Sequence, residues 1–326
     1  MKQRATAKAR ANIALAKYWG KSDVGLNLPA VPSISLTLDG LVTETTVTFD
    51  DALASDEVAL DGRPATASET GRVVDMLARV RDLAGIDTFA KVRTRNRFPT
   101  AAGLASSASG FAALAAASTT AAGLRLSDKK LSALARQSSA SAARSIFGGF
   151  SELPAGKPGN AALAARPLHG EDWWDVRLVV AKAAKGPKKV GSTEGMERSR
   201  RTSPIYDAWV EESVALTRTI KRALKKRDLD VLGAAMEQST FSFHACAMSS
   251  KPAILYWQPA TMAALRTVES LREKGISAWA TMDAGPHVKV LCEAKDASRV
   301  QRALRKTEGI LGTIVAKPGA RLEVRA

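Results

Sequence analysis

The spacing of hydrophobic residues changes along the chain, and this change limits the folds that the chain can adopt. Apolar and polar residues alternate in ISLTLDG (34–40) and LVTETTVTF (41–49), which is typical of half-buried strands. The Asp39-Gly40 pair between the two segments is a common hairpin signal. The sequence therefore predicts two antiparallel strands joined by a turn at these residues.

The next part of the chain mixes helical and strand patterns. Apolar residues at three-to-four spacing predict a helix over 69–85, and a second helix covers the alanine-rich stretch 106–122. Ser127 is a typical N-cap for a third helix through about Gln137, and a short helix is expected after it. Strands are predicted at 89–95 and on both sides of a Pro/Gly-rich loop within 149–181.

From residue 182 onward, long helical patterns predominate. Helices are predicted at 204–226, 228–247, 259–274 and near 296–306, and strands at 277–282, 288–293 and 310–315. Helices and strands do not alternate regularly, which excludes a doubly wound sheet and predicts an α+β fold. We expect two halves that meet near 180–190.

Composition excludes several classes of protein. The 326 residues are 45% hydrophobic and 25% charged, which excludes a disordered chain. We find no apolar run long enough for a membrane span and no secretory signal in MKQRATAKAR, so we expect a soluble intracellular protein. Cys246 and Cys292 lack metal-ligand spacing, so we expect neither a disulfide framework nor zinc.

The balance of charge points to an anionic partner. Lys and Arg number 48 against 32 Asp and Glu, a formal net charge of +16. Nucleic acid, anionic lipid and a polyanionic small substrate all remain open on this ground alone. The basic run RTIKRALKKR (218–227) has helical spacing and no interleaved aromatic residues, which favours a solvated helix face over a strand-binding surface.

The segment FPTAAGLASSASGFAAL (98–114) has the composition of a phosphate-binding loop. A Pro- and Gly-containing turn leads into a helix whose first turn is rich in serine, so free N–H groups and the helix dipole would face an anion. No lysine follows the glycine, so it is not the common P-loop. The alternative is an Ala/Ser helix packed tightly in the core behind an ordinary loop.

The segment NIALAKYWGK (12–21) places two cations around an aromatic pair and a glycine. Lys17 and Lys21, four residues apart, suit an anionic ligand, and Tyr18 and Trp19 could fix their positions. The alternative is two surface lysines that flank a buried tryptophan.

Two further segments carry candidate functional groups. ARQSSASAARSIFGGF (135–150) has serines at a helix start, followed by Arg144, which could hold a carboxylate in a bidentate pair. ATMDAGPHVKVLC (280–292) ends a buried strand at Asp283, before a Gly-Pro turn. The alternatives are helix capping by the serines with an exposed arginine, and an Asx turn at the aspartate.

Together these segments resemble the mevalonate diphosphate decarboxylase family of the GHMP kinase superfamily. The matching motifs span nearly the whole chain: KYWGK, PSISLTLD (32–39), FPTAAGLASSASG, ARQSSASAARSIFGGF, GSTEGM (191–196), SFHAC (242–246) and TMDAGP. The resemblance implies a GHMP-kinase-like α+β fold of two domains. Residues 1–183 would form a ribosomal-protein-S5-like, ATP-binding domain, and residues 184–326 a ferredoxin-like α+β domain.

The resemblance also implies a reaction. ATP would phosphorylate the C3 hydroxyl of mevalonate 5-diphosphate, and loss of phosphate and carbon dioxide would then give isopentenyl diphosphate. ATP and Mg²⁺ are the implied cofactors, with the ion held more by phosphate oxygens and water than by protein ligands. A cytoplasmic homodimer without nucleic-acid or membrane partners is expected.

Site residues follow from the motif matches. Asp283 corresponds to the carboxylate that faces the C3 hydroxyl, Lys17 to the lysine beside it, and Arg144 to the arginine that orients the substrate carboxylate. The positions around the substrate and its diphosphate are Tyr18, Trp19, Gly20, Lys21, Arg72, Ser139, Ala140, Ser141 and Thr193. The nucleotide-phosphate loop corresponds to Ala102, Gly103, Leu104, Ala105, Ser106 and Ser107.

The chain departs from the family pattern at two places. His287 stands where relatives often have asparagine, and Ser138-Ser139-Ala140-Ser141 replaces a more usual Gly-Ser-Gly-Ser. Neither change removes a charge from the predicted site. Within the superfamily, a monophosphate decarboxylase or a mevalonate 3-kinase is the alternative, and a basic nucleic-acid-binding protein is the alternative of another class.

Overall fold

The computed structural model describes residues 3–98, 106–186 and 188–326. Its strands are β1 (Gln3–Ala16), β2 (Lys21–Asp23), β3 (Leu28–Pro29), β4 (Ser33–Phe49), β5 (Glu57–Leu60), β6 (Arg63–Pro64), β7 (Ala90–Asn96), β8 (Phe150–Leu153), β9 (Arg166–His169), β10 (Val176–Ala181), β11 (Ala278–Thr281), β12 (Val288–Glu293), β13 (Thr313–Ala316) and β14 (Glu323–Arg325). Its α-helices are α1 (Ala67–Ala84), α2 (Ser106–Ala121), α3 (Asp128–Ser138), α4 (Ser192–Thr202), α5 (Tyr206–Lys226), α6 (Leu229–Met248), α7 (Pro259–Glu273) and α8 (Ala297–Lys306). Two 3₁₀ helices cover Ala140–Ile146 and Ala294–Asp296.

The first sheet is built on the long antiparallel pair β1–β4. Its strand order is β14-β1-β4-β7-β5-β6, and β8 and β9 extend from β4. The predicted hairpin at Asp39-Gly40 is wrong, because β4 runs through both residues without reversing direction. β1 pairs with β4 on both sides of Gly40, whose positive φ of 79° bends the strand where the register shifts.

Helix α2 packs on this sheet through its small side chains. Seven of its alanines (108, 112, 113, 115, 116, 117 and 121) are buried, and the helix contacts β1 and β4. Alanine and serine allow a helix axis to come close to a sheet. The predicted helix over 106–122 is confirmed. Its residues pack in the core, as the alternative of a tightly packed Ala/Ser helix predicted.

Most of the other predicted helices and strands are also confirmed. Helix α1 ends at Gly85 in the left-handed conformation, and the Ser127 side chain caps α3 by accepting from the Lys130 N–H. The short helix expected after Gln137 is the 3₁₀ helix Ala140–Ile146. Helix α4 and the strands β1, β2, β3, β5, β6 and β14 were not predicted from the sequence.

The second sheet has the order β11-β12-β10-β13 and is entirely antiparallel. Helices α7 and α8 contribute to its hydrophobic core. Strand β10 precedes residue 184 in the chain but belongs to this second sheet, and the C-terminal β14 returns to pair with β1 in the first sheet. The two-domain α+β fold is thus present, and the exact boundary at 183/184 stays a prediction.

A shared hydrophobic cluster joins the two halves. It combines Ile13 and Leu36 of the first sheet with Leu178 of the second sheet and Leu224 and Leu232 of α5 and α6. Beside this cluster the segment after β1 is tied to the second half by hydrogen bonds. The Lys17 backbone N–H donates to Ser239 Oγ (3.0 Å), and Trp209 Nε1 donates to the Trp19 carbonyl (2.8 Å).

Among the residues described, no helix combines the length and apolarity required to cross a membrane.

Candidate active site

A cavity of about 480 Å³ lies between the two halves, and most of the sequence-predicted site residues line it. They come from segments far apart in the chain: the turn after β1, the first turns of α1 and α2, the junction of α3 with the 3₁₀ helix that follows, the start of α4, and the residues just after β11. The predicted residues on its walls are Lys17, Tyr18, Trp19, Lys21, Arg72, Ser107, Ser139, Ala140, Ser141, Arg144, Thr193 and Asp283.

Asp283 lies between two buried lysines. Lys17 Nζ is 2.9 Å from Asp283 Oδ1, and Lys289 Nζ is 3.0 Å from Asp283 Oδ2. Both lysine side chains are 2% exposed, whereas 31% of the aspartate side chain is accessible from the cavity. The carboxylate is therefore fixed at both oxygens yet open on one side, so the Asx-turn alternative does not describe its contacts.

Local structure explains how these three groups meet. Lys17 follows β1 directly, and its Nζ also donates to the Ala14 carbonyl at 2.9 Å. Asp283 lies two residues beyond the end of β11, and the register of the sheet pairs Thr281 of β11 with Lys289 of β12. The first sheet supplies one lysine, and the second sheet supplies the aspartate and the other lysine.

Burial and charge act in opposite directions on these groups. Burial lowers the pKa of Lys17 to about 8, although Asp283 opposes that change. Burial alone would raise the pKa of Asp283, but attraction to Lys17 and Lys289 outweighs it and holds that pKa well below its usual range. The aspartate is therefore ionised at neutral pH.

Arg144 is held in the cavity wall by two hydroxyl groups. It projects from the 3₁₀ helix and is 2% exposed, and its Nε and Nη1 donate to Ser35 Oγ (2.9 Å) and Ser33 Oγ (2.6 Å) of β4. No carboxylate in the described part of the chain forms an ion pair with it. Burial lowers its pKa to about 10, so it keeps its charge at neutral pH and can bind the carboxylate of a ligand. The alternative of an exposed arginine is wrong.

A second cationic and hydroxyl-rich part of the cavity surrounds the start of the 3₁₀ helix. Ser139 Oγ and Ser141 Oγ are 3.0 Å apart, and Arg72 Nη2 donates to the Ser138 carbonyl at 3.1 Å. The Tyr18 Oη and Ser138 Oγ are buried without a hydrogen-bond partner in the described structure. Unpaired buried hydroxyls at a cavity wall indicate a site for a polar ligand.

Lys17 and Trp19 of the KYWGK segment both line the cavity, and Trp19 also packs in the core. Trp19 is 1% exposed, and its ring lies 4.8 Å from that of Phe243. Thus the buried-tryptophan alternative is right for Trp19, but Lys17 is buried rather than on the surface. Gly20 does not line the cavity. Its φ of +111° and the Tyr206 hydroxyl, 2.1 Å from where a Cβ would lie, explain a glycine there.

The predicted nucleotide loop is only partly described. Ala102, Gly103, Leu104 and Ala105 lie outside the described residues. Ser106 is the first residue of α2, and Ser107 lines the cavity in the first turn of that helix.

Sequence reasoning missed two lysines and two serines at the site. Lys289 is an isolated cation in the apolar strand VKVLC, and such a lysine signals a buried charge that needs a partner. Lys188, whose Nζ donates to Ser192 Oγ (2.6 Å) and to the Ala284 carbonyl (2.9 Å), lies in no motif that the sequence singled out. The Ser33 and Ser35 hydroxyls gave no local signal, since their role depends on the distant Arg144.

Neither departure from the family pattern disturbs the charges of the cavity. His287 is buried, and its Nδ1 accepts a hydrogen bond from the Ala183 N–H at 3.1 Å. Ala140 lines the cavity between the two serines.

The cavity thus combines an ionised carboxylate, several cations and unpaired hydroxyls. Such a site can bind polyanions, orient a hydroxyl group beside Asp283 and hold a carboxylate at Arg144. An α+β fold of two domains with a cationic cleft between them is that of a GHMP-kinase-type enzyme, and the chain belongs to this class.

Comparisons with known proteins identify the family within this class. Residues 9–164 match the diphosphomevalonate decarboxylase-like N-terminal domain, and residues 177–313 match the mevalonate 5-diphosphate decarboxylase C-terminal domain. The diphosphomevalonate decarboxylase of Ganoderma lucidum is 35% identical over 309 residues, which are 87% of this chain and 76% of that protein.

Solved structures agree. The mevalonate diphosphate decarboxylase from Staphylococcus aureus has a TM-score of 0.95 at 38% identity, covering 100% of this chain and 99% of that one. MDDEF, solved in complex with MVAPP, AMPPCP and magnesium, has a TM-score of 0.94 at 38% identity with the same coverage. The chain belongs to the mevalonate diphosphate decarboxylase family, which confirms the predicted family, fold class and enzyme class.

Proposed function

We propose that the protein catalyses the ATP-dependent decarboxylation of mevalonate 5-diphosphate to isopentenyl diphosphate. The observation that carries the proposal is that one cavity holds Asp283 between Lys17 and Lys289, with Arg144 in the same wall. The MVAPP and AMPPCP complex of the relative MDDEF supports the same pair of ligands.

We assign the diphosphate to the hydroxyl-rich part of the cavity. Tyr18, Lys21, Ser139 and Ser141 offer hydroxyl and ammonium donors there, and Arg72 and Thr193 line the same cavity. Burial lowers the pKa of Lys21, and an arriving diphosphate would favour its charged form. Four donors of this kind fit a diphosphate better than a monophosphate, which argues against the monophosphate alternative.

The first step is phosphoryl transfer to a tertiary alcohol. The C3 oxygen bonds to the γ-phosphorus, the bond from that phosphorus to the bridging oxygen of ATP breaks and ADP leaves. The hydroxyl proton passes to Asp283 or to solvent water late in this step. A tertiary hydroxyl is a crowded, weak nucleophile, so the rate depends on positioning and on cancelling charge. Asp283 orients the hydroxyl, and Lys17 lies beside both the hydroxyl and the incoming phosphoryl group.

The second step is loss of phosphate and carbon dioxide. The C3–O bond breaks with its electron pair on the departing phosphate, and the electrons of the adjacent C–C bond form the new double bond as carbon dioxide leaves. Arg144 holds the substrate carboxylate by its oxygens, and its own orientation is set by Ser33 and Ser35.

Mg²⁺ fits the site as an ion carried by phosphates. Within the described residues, no group of three His, Cys, Asp or Glu side chains could hold a metal ion, and the Asp283 oxygens are already bound by lysines. When bound with ATP, Mg²⁺ neutralises phosphate charge and makes the terminal phosphoryl group a better electrophile. The chain's own part is to supply lysines around the phosphates, including Lys188.

The excess of positive charge has a use in this proposal. Two polyanionic ligands enter one cleft, and a net charge of +16 attracts both. A nucleic-acid-binding function would explain the charge but not the buried carboxylate between two lysines, so we do not favour it. A cytoplasmic location and a homodimer also stay predictions, the second testable by analytical ultracentrifugation.

A substrate panel tests the proposal. Purified protein with ATP and Mg²⁺ should release carbon dioxide and ADP in equal amounts from mevalonate 5-diphosphate. The panel includes mevalonate and its 5-monophosphate, with carbon dioxide, ADP and organic product measured separately. ADP without carbon dioxide would identify a 3-kinase instead, and carbon dioxide from the monophosphate alone would identify the monophosphate enzyme. No carbon dioxide from any of the three would refute the proposal.

A further inference from the structure

Lys289 contacts the Asp283 carboxylate, but neither step of the proposed reaction gives it a role. It lies in β12 and is 2% exposed, and its strand neighbours Val288 and Val290 are fully buried. Its Nζ donates to Asp283 Oδ2 at 3.0 Å, on the opposite oxygen from Lys17. The antiparallel register opposite Thr281 of β11 and Val180 of β10 sets this position, so the second sheet itself delivers the amine to the aspartate.

Burying a lysine side chain at this position costs free energy. Desolvation opposes its charge, and an apolar side chain of similar size would avoid that cost. Packing of the apolar strand therefore does not explain it, and its charge needs another account.

The net charge of the cluster around Asp283 explains why a lysine stands at position 289. Lys17 and Asp283 alone form a neutral pair, whereas two lysines and one aspartate carry a net charge of +1. The second lysine also occupies the oxygen that Lys17 leaves free, so the carboxylate cannot rotate about its bond to Cβ without losing a hydrogen bond. The cluster thus has a fixed anion and a residual positive charge for an incoming phosphoryl group.

We propose that Lys289 is a positioning residue for Asp283, which it holds ionised and in a single orientation toward the substrate hydroxyl. This inference deepens the proposed function and depends on it. Lys289 touches neither substrate nor nucleotide in this scheme and acts only through the aspartate.

Several other charged or titratable groups surround Asp283 and would remain in a Lys289 variant. Lys17 is in direct contact with the aspartate, and Lys188, Arg144 and His244 interact electrostatically with it. Burial lowers the pKa of His244 to about 3, so it is neutral throughout the relevant range. Only Lys289 and Lys17 bind the carboxylate oxygens among the residues that the structure describes.

The test compares the pH dependence of kcat/KM for K289M and wild type. Removing the ammonium should raise the pKa of Asp283, so the ratio of variant to wild-type kcat/KM should fall as pH is lowered toward about 5. The pKa of Lys17 should also rise, because repulsion from Lys289 lowers it in the wild type, so the basic limb should move to higher pH. Ionisation of the substrate phosphates is common to both proteins and cancels in the ratio.

We expect kcat at about pH 6 to fall at least roughly tenfold, with KM for the substrate changed much less, because misplacing a reacting group costs mainly turnover. K289R keeps a charged hydrogen-bond donor. It should therefore restore the wild-type kcat/KM on both the acidic and the basic side of the pH profile. K295M removes an exposed lysine outside the cavity and should match wild type at every pH. If K289M does not fold, K289Q, which keeps a hydrogen-bond donor and removes only the charge, is compared in the same way.

Three results would overturn the inference. In the first, the variant-to-wild-type ratio stays constant across pH. In the second, K289M keeps wild-type kcat. In the third, activity falls only in proportion to a lowered melting temperature and K289R fails to restore the limbs. A wild-type protein inactive on the whole substrate panel would instead refute the proposed function.

Discussion

Asp283 is an ionised carboxylate held by two buried amines, and this limits the chemistry that it can do. A carboxylate whose pKa lies far below 7 is a weak proton acceptor, because general bases work best with a pKa near the operating pH. Both its oxygens are also engaged by lysines. These facts favour orienting the substrate hydroxyl over removing its proton early, so the proton leaves late, as the phosphoryl group arrives.

Replacing Asp283 by asparagine should abolish turnover while sparing nucleotide binding. The amide has the shape of the carboxylate but lacks its charge, and it cannot accept from both lysines. We expect kcat to fall by well over a hundredfold, since positioned groups of this kind contribute about 10²–10⁴-fold. Single-turnover kinetics measure the loss, and calorimetric titration with ATP measures binding. Activity near that of wild type would contradict the assigned role.

Lys17 should set the basic limb of the pH profile. Its pKa is lowered to about 8, so it is charged below that pH and becomes neutral above it. If the charged form is required, kcat/KM falls as pH rises through about 8. In K17R the limb should disappear from this range, because an arginine stays charged. A wild-type profile that remains flat up to about pH 10 would show that the charge of Lys17 is not needed.

Among the helices and strands, the contact between α6 and β11 positions the strand that leads to Asp283. Gly233 of α6 faces Trp279 of β11, and a Cβ on this glycine would lie 2.0 Å from the indole Cγ. The helix and the strand can pack this closely only because the glycine has no side chain.

Gly233→Ala should therefore destabilise the protein. Overpacking in a core costs typically about 1–3 kcal/mol, which outweighs the gain of up to about 1 kcal/mol from replacing a helical glycine by alanine. Chemical denaturation measures the free energy of unfolding. The matched control is Gly71→Ala in α1, where a Cβ would meet nothing within 4 Å. The control should be neutral or stabilising, and equal effects of the two substitutions would contradict the packing argument.

In the molecule as a whole, the cleft exists only because the two halves of the chain meet. Lys17 and Arg144 belong to the first half, and Asp283 and Lys289 to the second. The hydrophobic cluster shared by β4, β10, α5 and α6 fixes the positions of the two halves, and with them these four side chains. This apolar contact keeps three cations close together, Lys17, Arg144 and Lys289, although they repel one another.

The net charge of the molecule should make substrate capture depend on salt. With a formal charge of +16, the protein attracts polyanions over about a Debye length, which shrinks from roughly 14 Å at 0.05 M salt to about 6 Å at 0.3 M. We expect KM for mevalonate 5-diphosphate to rise several-fold over this range, while kcat changes little. Steady-state kinetics at matched Mg²⁺ activity measure both constants. A KM independent of salt would exclude long-range attraction.

Local patterns were enough to assign most of the secondary structure. Helices α1, α2 and α3 follow from periodicity, capping and glycine stops, which depend on interactions between residues that are close in the chain. Lys17 and Asp283 were identified in another way, by the resemblance of KYWGK and TMDAGP to motifs of a known family, because each segment alone left a structural alternative open.

Long-range pairing decided the rest. Gly40 lies in a bend rather than a turn, because β1 pairs with β4 on both of its sides. Lys289 reaches Asp283 because β11 and β12 share one register, and Ser33 and Ser35 hold Arg144 across more than 100 residues of chain. No local pattern encodes such contacts, because the free energy of burying a charge or a hydroxyl depends on partners that only the folded chain brings within hydrogen-bond distance.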